Sequence, residues 1–350
     1  MQITVTIGPS SIDTKILNQL KEAGAKRFRV NLSHSSDHSL IKYFNELRSC
    51  NIVPCIDTQG PQIRTKEFNK PELQEKEVIN IFFDENNLNL QDSFITLTHQ
   101  EAFNQIDIGD IIRLDFNGLS VKVLDKCKGN FYKAKVLTSG ILSKNKGVDI
   151  IGKSIYLPIL TEFDKKSIRY ALDNGCNTVF ASFVSNANQA EYVKNFIGRN
   201  CKLISKIETA NGVSNIDEII DISDEILIDR GDLSRETSIP LIPIATSKII
   251  ECATKKGCPV NIATNILDSM MTNSMPSRAE VSDIFNLLNR NVEGIVLAAE
   301  VAIGENPVSS TALVNYLMKV YQNYKKGFIG IGNLEKPSKN LIGEELYNWI

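Results

Sequence analysis

The sequence lacks the features that mark membrane proteins and nucleic-acid binders. None of its 350 residues lies in an apolar run approaching the ~18 residues that a membrane-spanning helix needs. The N-terminal segment shows no basic region followed by a long apolar stretch. The 39 Lys and Arg nearly balance the 41 Asp and Glu, so the charge favours neither a polyanionic partner nor an acidic membrane surface. We therefore expect a soluble protein that binds neither nucleic acid nor membranes.

The cysteines also lack the spacing of a metal or disulfide framework. There are seven, an odd number, and none forms a C-x-x-C pair. Most lie in apolar runs, which is typical of reduced, buried thiols. The expected localisation is cytoplasmic.

What the chain does contain is an alternation of apolar strands and helical segments, which predicts a parallel α/β fold. Eight strands are predicted, the number that closes a (β/α)8 TIM barrel. They are centred on Ile3, Phe28, Val53, Val179, Ile204, Ile226, Val260 and Ile295. Short alternating segments with turns rich in Asn, Asp and Gly follow the third strand, and they predict an inserted small all-β domain that acts as a lid. We assign 1–65 and 156–325 to the barrel, 66–155 to the lid and 326–350 to a C-terminal tail.

Charged side chains collect where the predicted strands end. Glu208 and Asp232 follow two neighbouring strands, and paired carboxylates suit a hard divalent cation such as Mg²⁺. Lys206 adds positive charge where phosphoryl or enolate charge develops, while Arg29 and Arg64 can bind phosphate oxygens. Because barrel enzymes place their chemistry at this end of the strands, the set points to phosphoryl transfer or enolate stabilisation. The alternative for any single residue is an ordinary solvated charge at the rim.

Other polar residues have weaker signals. Further strand-end candidates are Asn31, Ser33, Asp57, Thr58, Thr264 and Glu300. His34 and His38 have helical i, i+4 spacing but no H-E-x-x-H pattern, so a surface or substrate contact is favoured over a metal site.

The strand ends lie in short motifs that follow one another in a characteristic order. They are TIGPSS at 6–11, RVNLSH at 29–34, DTQGPQIRT at 57–65, KGV at 146–148, LP at 157–158, SKIE at 205–208, RGDL at 230–233, ATNILDSM at 263–270 and RAE at 278–280. These motifs resemble those of the pyruvate kinase family, and together they cover residues 1 to about 320. The resemblance implies transfer of a phosphoryl group from phosphoenolpyruvate to ADP, giving pyruvate and ATP.

The resemblance also implies a role for each matching residue. Glu208 and Asp232 bind Mg²⁺, Lys206 neutralises the transferring phosphoryl group and the enolate, and Thr264 belongs to the path that delivers a proton to the enolpyruvate carbon. Phosphate contacts fall to Arg29 and Arg64, and the substrate carboxylate to the backbone of Gly231 and Asp232. The implied nucleotide contacts are Pro9, Arg29, Asn31 and His34, and the implied K⁺ ligands are Asn31, Ser33, Asp57 and Thr58.

Several positions depart from the family pattern. Gln62 replaces the glutamate associated with potassium dependence, which leaves the need for K⁺ open, and Gln59 replaces the usual lysine. Ser185 stands where a basic residue is common, and Ala298 removes a hydroxyl from the expected mouth. Ser234-Arg235 follows the RGDL motif and could change which acid or nucleotide fits.

Two enzyme hypotheses follow from these departures. The first is a compact pyruvate kinase-like phosphotransferase, and the second is a specialised enzyme that uses the same Mg²⁺ and lysine chemistry on a different 2-oxo acid or phosphoryl acceptor. Because few residues follow the predicted barrel, we expect the family's C-terminal regulatory domain to be absent. Assembly into a homo-oligomer would then use surfaces of the barrel, and whether it occurs is left open. A non-enzymatic binding protein is disfavoured by the retained charges.

Overall fold

The structure is a computed structural model that describes residues 1–83, 92–114, 118–128, 130–153, 155–327 and 335–350. The chain forms two compact units, one of Met1–Gly60 with Ile159–Ile350 and one of Pro61–Pro158. Within the described ranges, every helix is too short or too polar to cross a membrane.

The strands and helices alternate along most of the chain. The strands are β1 (Gln2–Ile7), β2 (Ala25–Asn31), β3 (Pro54–Asp57), β4 (Thr65–Phe68), β5 (Glu72–Leu73), β6 (Val78–Phe82), β7 (Phe94–Leu97), β8 (Ile111–Arg113), β9 (Ser120–Cys127), β10 (Phe131–Thr138), β11 (Gly140–Ile141), β12 (Asp149–Ile150), β13 (Thr178–Ala181), β14 (Lys202–Ile207), β15 (Glu225–Asp229), β16 (Val260–Ala263) and β17 (Gly294–Leu297). The helices are α1 (Thr14–Glu22), α2 (Asp37–Ser49), α3 (Gln100–Phe103), α4 (Glu162–Asp173), α5 (Ala187–Ile197), α6 (Ala210–Ser214), α7 (Ile216–Ile222), α8 (Arg230–Glu236), α9 (Ile242–Lys256), α10 (Arg278–Asn289), α11 (Ala299–Ala302), α12 (Pro307–Lys325) and α13 (Lys339–Trp349).

The first unit is a closed barrel of eight parallel strands. Strands β1, β2, β3, β13, β14, β15, β16 and β17 each pair with the next, and β17 pairs with β1. Helices connect successive strands, so the predicted (β/α)8 barrel is confirmed. Of the eight predicted strand centres, only Val53 lies outside its strand, because β3 begins one residue later at Pro54.

Local sequence chemistry fixes where the outer helices begin. Three of them start with a capping box. In this motif the Ser or Thr side chain at the N-cap accepts a hydrogen bond from the backbone amide of the third helical residue, and the side chain of that residue accepts one from the backbone amide of the N-cap. The N-caps of α2, α4 and α10 are Ser36, Thr161 and Ser277. Each of these helices then buries an apolar face in the core between strands and helices.

The interior of the barrel is layered because alternate residues of a strand point to the same face. Its middle is apolar, and the side chains that meet there are Cys55, Phe180, Ile204, Leu227, Ala263 and Val296. At the N-terminal end, Arg27 makes a two-pronged ion pair with Glu225, which also accepts from Asn261 at 3.0 Å. Gly294 leaves room for this layer, since a Cβ there would lie 1.8 Å from the Asn261 side-chain oxygen. The C-terminal end is polar as well.

The second unit has a core of its own. Its sheet has the order β12-β8-β9-β10-β6-β7-β4, beside a two-stranded ribbon of β11 and β5. Tyr132 is buried there with its hydroxyl donating to the Ile106 carbonyl at 2.9 Å and its ring edge-on to Phe103. The unit therefore carries the hydrophobic cluster expected of a small, separately packed fold.

The C-terminal residues assigned from sequence to a tail contain the helix α13. Its Ile342 and Leu346 are 4% and 0% exposed and belong to the core of the barrel unit. Gly343 between them has a φ of 77°, a left-handed value that bends the helix and that glycine adopts without strain.

Candidate active site

Lys206 is the centre of the polar layer at the C-terminal end of the barrel. Its ammonium lies 2.9 Å from a carboxylate oxygen of Glu208, 3.2 Å from one of Asp57 and 2.9 Å from the Ser182 hydroxyl. The lysine side chain is 6% exposed and both carboxylates are more deeply buried. A cation of this kind, held by side chains on three elements, can stabilise an anion in the mouth of the barrel.

Arg29 is the second buried cation of this layer. Its Nη1 contacts Asp57 at 2.9 Å, while Nε and Nη2 both donate to the Thr6 hydroxyl at 3.0 and 2.7 Å. The guanidinium also lies over the Phe180 ring, 5.8 Å from its centroid. Asp57 therefore bridges Arg29 and Lys206, and the pair is fixed from both sides.

The electrostatics of the layer keep the lysine charged and disfavour ionisation of two carboxyls. Burial by itself would lower the pKa of Lys206, but the charges of Asp57 and Glu208 outweigh it and raise that pKa above its ordinary value. Burial raises the pKa of Glu208 to about 8 even though Lys206 opposes the shift. Burial and the charge of Asp229 likewise raise the pKa of Asp232. Shifts of this kind, caused by burial and by neighbouring carboxylates, are typical of functional sites.

Three carboxylates come together beside the lysine. One oxygen each from Glu208, Asp229 and Asp232 lies within 4.8 Å of the other two. Oxygen donors at this separation can be bridged by one hard divalent cation such as Mg²⁺. The group includes both predicted Mg²⁺ ligands together with Asp229, which was not singled out from the sequence.

Each of the two predicted ligands also has a protein partner. Glu208 accepts the backbone amide of Phe183 at 2.6 Å, and Phe183 has a left-handed φ of 60°. Asp232 pairs with Arg235 at 2.6 Å, one helical turn further along α8. A cation entering here would therefore share Asp232 with an arginine.

Thr264 lies directly after β16 and faces the end of β15. Its Oγ1 accepts the amide of Gly231 at 2.7 Å and contacts Asp229 Oδ1 at 3.1 Å. Its φ is 64°, a strained value for a β-branched residue. The amide of Asp232 donates to Asp229 at 3.4 Å, so the two amides expected to receive a substrate carboxylate already have side-chain partners.

The residues expected to bind K⁺ lie on the ends of β2 and β3. Asn31 and Asp57 are register partners in these strands. Asn31 Oδ1 accepts the Ser33 amide at 2.9 Å, and the Thr58 carbonyl accepts the Ser182 hydroxyl at 2.7 Å. The structure brings these oxygen donors to one edge of the barrel.

The remaining expected contacts are more scattered. Pro9 and His34 are exposed, in the turn after β1 and in a short 3-10 turn after β2. Arg64 belongs to the second unit, where it donates to the Asn145 carbonyl at 2.9 Å. Glu300 is 1% exposed and accepts the amides of Leu267 and Ala298, which is a structural role.

Two important residues were not found from the sequence. Asp164 is fully buried and accepts the amides of Gln59, Gly60 and Thr161, so it shapes the loop after β3. Ser182 lies directly after β13 and contacts Lys206, Asp57 and Thr58. Asp164 carries a detectable signal, since it follows Thr161 by three residues as in a capping box.

The sequence is also similar to those of known proteins. A family model described as pyruvate kinase, barrel domain, matches residues 1–311. Pyruvate kinase 1 of Saccharomyces cerevisiae is 33% identical over 319 residues, which are 87% of this chain and 64% of that protein. The pyruvate kinase of Sporosarcina psychrophila is 33% identical over 88% of this chain and 55% of its own length. That of Aeropyrum pernix is 31% identical over 93% of this chain and 71% of its own length. The chain thus spans between about half and about 70% of these relatives.

Proposed function

Given that the chain belongs to the pyruvate kinase family, we propose that it is a phosphotransferase that converts phosphoenolpyruvate and ADP into pyruvate and ATP. The observation that carries the proposal is the buried Lys206, charged and bridged to Asp57 and Glu208 within 3.2 Å. A fixed ammonium in a water-poor site is suited to stabilise an enolate or a transferring phosphoryl group, because its charge is already in place and no solvent has to reorient during the reaction.

The carboxylates supply the expected divalent site. Glu208 and Asp232 are the proposed Mg²⁺ ligands, because their oxygens and that of Asp229 lie within 4.8 Å of one another. When bound, Mg²⁺ would supply the charge that neutralises phosphate and enolate oxygens. Its entry would also offset the effects of burial and of neighbouring negative charge, which raise the pKa of both carboxyls.

The surrounding side chains have proposed roles in orienting the substrate. Arg29, held by Asp57 and Thr6, presents its charge to phosphate oxygens. Arg64 is proposed as a further phosphate contact. Thr264 belongs to the proton-delivery path. Gly231 and Asp232 receive the substrate carboxylate through their amides, which must then exchange their contacts with Thr264 and Asp229. Nucleotide contacts are proposed at Pro9, Arg29, Asn31 and His34.

A monovalent cation is proposed at Asn31, Ser33, Asp57 and Thr58, which offer oxygen atoms on two adjacent strand ends. Whether the enzyme needs this cation is open, because Gln62 replaces the glutamate that is associated with potassium dependence in the family. Rates measured with KCl and with tetramethylammonium chloride at equal ionic strength separate a K⁺-dependent enzyme from one that needs no K⁺.

One observation favours a second candidate function, in which the acceptor or the 2-oxo acid differs. Arg235 contacts the proposed metal ligand Asp232 at 2.6 Å and is 30% exposed, so it can also reach an additional acidic group on a ligand. Thermal-shift screening of nucleotides and 2-oxo acids with Mg²⁺ tests this. A preference for phosphoenolpyruvate and ADP supports the first function, and a larger shift with a different acid supports the second.

A further inference from the structure

Asp229 is a buried carboxylate at the end of β15 to which the proposed reaction gives no role. The residue is 5% exposed. Its Oδ1 accepts the amide of Asp232 at 3.4 Å and the hydroxyl of Thr264 at 3.1 Å. One oxygen atom therefore connects the helix that carries Asp232 with the loop that carries Thr264.

The loop at Thr264 is held in a conformation that it would not adopt by itself. Thr264 and Asn265 have φ values of 64° and 53°, and a β-branched residue in this region is strained unless its surroundings fix it. Arg230 donates to the carbonyls of Thr264 and Asn265 at 3.0 and 2.7 Å. These contacts set the backbone, whereas Asp229 and the amide of Gly231 contact the side-chain hydroxyl itself.

We propose that Asp229 is a positioning residue that orients the Thr264 hydroxyl, acting as a hydrogen-bond acceptor and not as a ligand of the divalent cation. The inference rests on the proposed function, in which Thr264 lies on the path that delivers a proton to the enolpyruvate carbon. The hydroxyl has one proton and two acceptors in reach, Asp229 at 3.1 Å and the Ala263 carbonyl at 2.7 Å. Without Asp229, the hydroxyl would donate to the Ala263 carbonyl instead and would lose its hydrogen bond to the carboxylate.

Two substitutions separate acceptance of the hydrogen bond from negative charge. Asp229→Asn keeps an oxygen that can accept from Thr264 and from the amide of Asp232, whereas Asp229→Ala removes both bonds. We expect Asp229→Ala to lower kcat by about 10- to 100-fold, a part of the total effect of positioned proton transfer, with the KM for phosphoenolpyruvate changed less than about threefold. Asp229→Asn should restore kcat to within about threefold of the original enzyme.

A double-mutant cycle tests whether the effect passes through the hydroxyl. Thr264→Val removes the hydroxyl, so adding Asp229→Ala to it should change kcat less than about twofold. The same variants are assayed for deuterium exchange into the methyl group of pyruvate, which follows the proton step without phosphoryl transfer. If the double variant instead lost kcat by the product of the two single losses, the two residues would act independently and the proposal would be overturned.

Asp229→Ala also removes a helix cap, and a matched control accounts for that. Asp13 caps α1 in the same manner, accepting the amides of Lys15 and Ile16 at 2.8 and 3.4 Å. Asp13→Ala should leave kcat unchanged. Melting temperatures of all variants show that the protein remains folded.

Binding of Mn²⁺, followed by electron paramagnetic resonance, distinguishes positioning from ligation. We expect Asp229→Asn to change the Mn²⁺ affinity less than about threefold, and a loss beyond about tenfold would make Asp229 a ligand and overturn the proposal. If the original protein forms pyruvate while Asp229→Ala is equally active, only this inference fails. If the original protein binds Mn²⁺ but catalyses neither turnover nor methyl exchange, the proposed function fails and the positioning role with it.

Discussion

The ion pair between Arg27 and Glu225 at the N-terminal end of the barrel gives the sharpest stability prediction. The two side chains are 12% and 4% exposed, and they are joined by two contacts, one of them 2.7 Å long. Removing one partner of a buried pair costs about 3–5 kcal/mol, because the other charge remains buried. In Glu225→Gln one oxygen can still accept from Arg27, so we expect the free energy of unfolding to fall by only about 2–3 kcal/mol.

This loss should appear as a lower melting temperature at neutral pH. For a unit of this size 1 kcal/mol corresponds to about 2–4 °C, so Glu225→Gln should melt about 4–12 °C lower. Burial alone would raise the pKa of Glu225, but hydrogen bonds from Arg27 and Asn261 bring it below its ordinary value. A lowered folded-state pKa gives stability that is present above the unfolded-state pKa of about 4.3 and is lost as the pH falls through the folded value. The difference between the two proteins should therefore shrink as the pH falls below about 4.

The matched control is Glu251→Gln, which removes an exposed partner of Lys255 on the outer helix α9. Its melting temperature should stay within about 2 °C of that of the original protein at every pH. Circular dichroism between pH 3 and pH 8 measures all three proteins. A shift of less than 1 °C in Glu225→Gln at pH 7, or a shift that is the same at pH 3 and pH 7, would refute the reasoning.

Two further predictions concern the cation site. Arg235→Ala frees Asp232 from an ion pair of 2.6 Å and should tighten Mn²⁺ binding by a few-fold at most, since the arginine is partly exposed; weaker binding would contradict this. With the pKa of Glu208 raised to about 8, a cation must displace a proton below that pH. Mn²⁺ affinity should therefore rise several-fold between pH 7 and pH 8 and level off above pH 9, and an affinity independent of pH would show that Glu208 is ionised without the cation.

The barrel could be predicted because its strands are buried on both faces and read as apolar runs. Strand β15 shows both the strength and the limit of that reasoning. Its pattern identifies a strand, but the inward residues are Glu225, Leu227 and Asp229, so two carboxylates sit inside the barrel at opposite ends. Counting every second residue from Leu227 indicates Asp229 as a further inward carboxylate, in addition to Asp232, which was identified from the strand end.

The partners of the charged residues could not be predicted in the same way. Lys206 and Asp57 are 149 positions apart, and Arg27 and Glu225 are 198 apart, so only closure of the barrel brings them together. Strand ends indicate which residues face the mouth, whereas the pairings depend on register and rotamer. The contact of Arg235 with Asp232 is an exception, because i and i+3 on a helix are neighbours from sequence alone.

The proposed role of Lys206 in pyruvate kinase activity is tested by pyruvate formation from phosphoenolpyruvate and ADP with Mg²⁺, comparing the original protein with Lys206→Met. The control is Lys202→Met, the same substitution on the same strand at the opposite end of the barrel, where the lysine is 58% exposed. We expect turnover to fall at least about 100-fold in Lys206→Met and to be kept in Lys202→Met. Equal turnover in a folded Lys206→Met protein, or none in the original protein, would contradict this expectation.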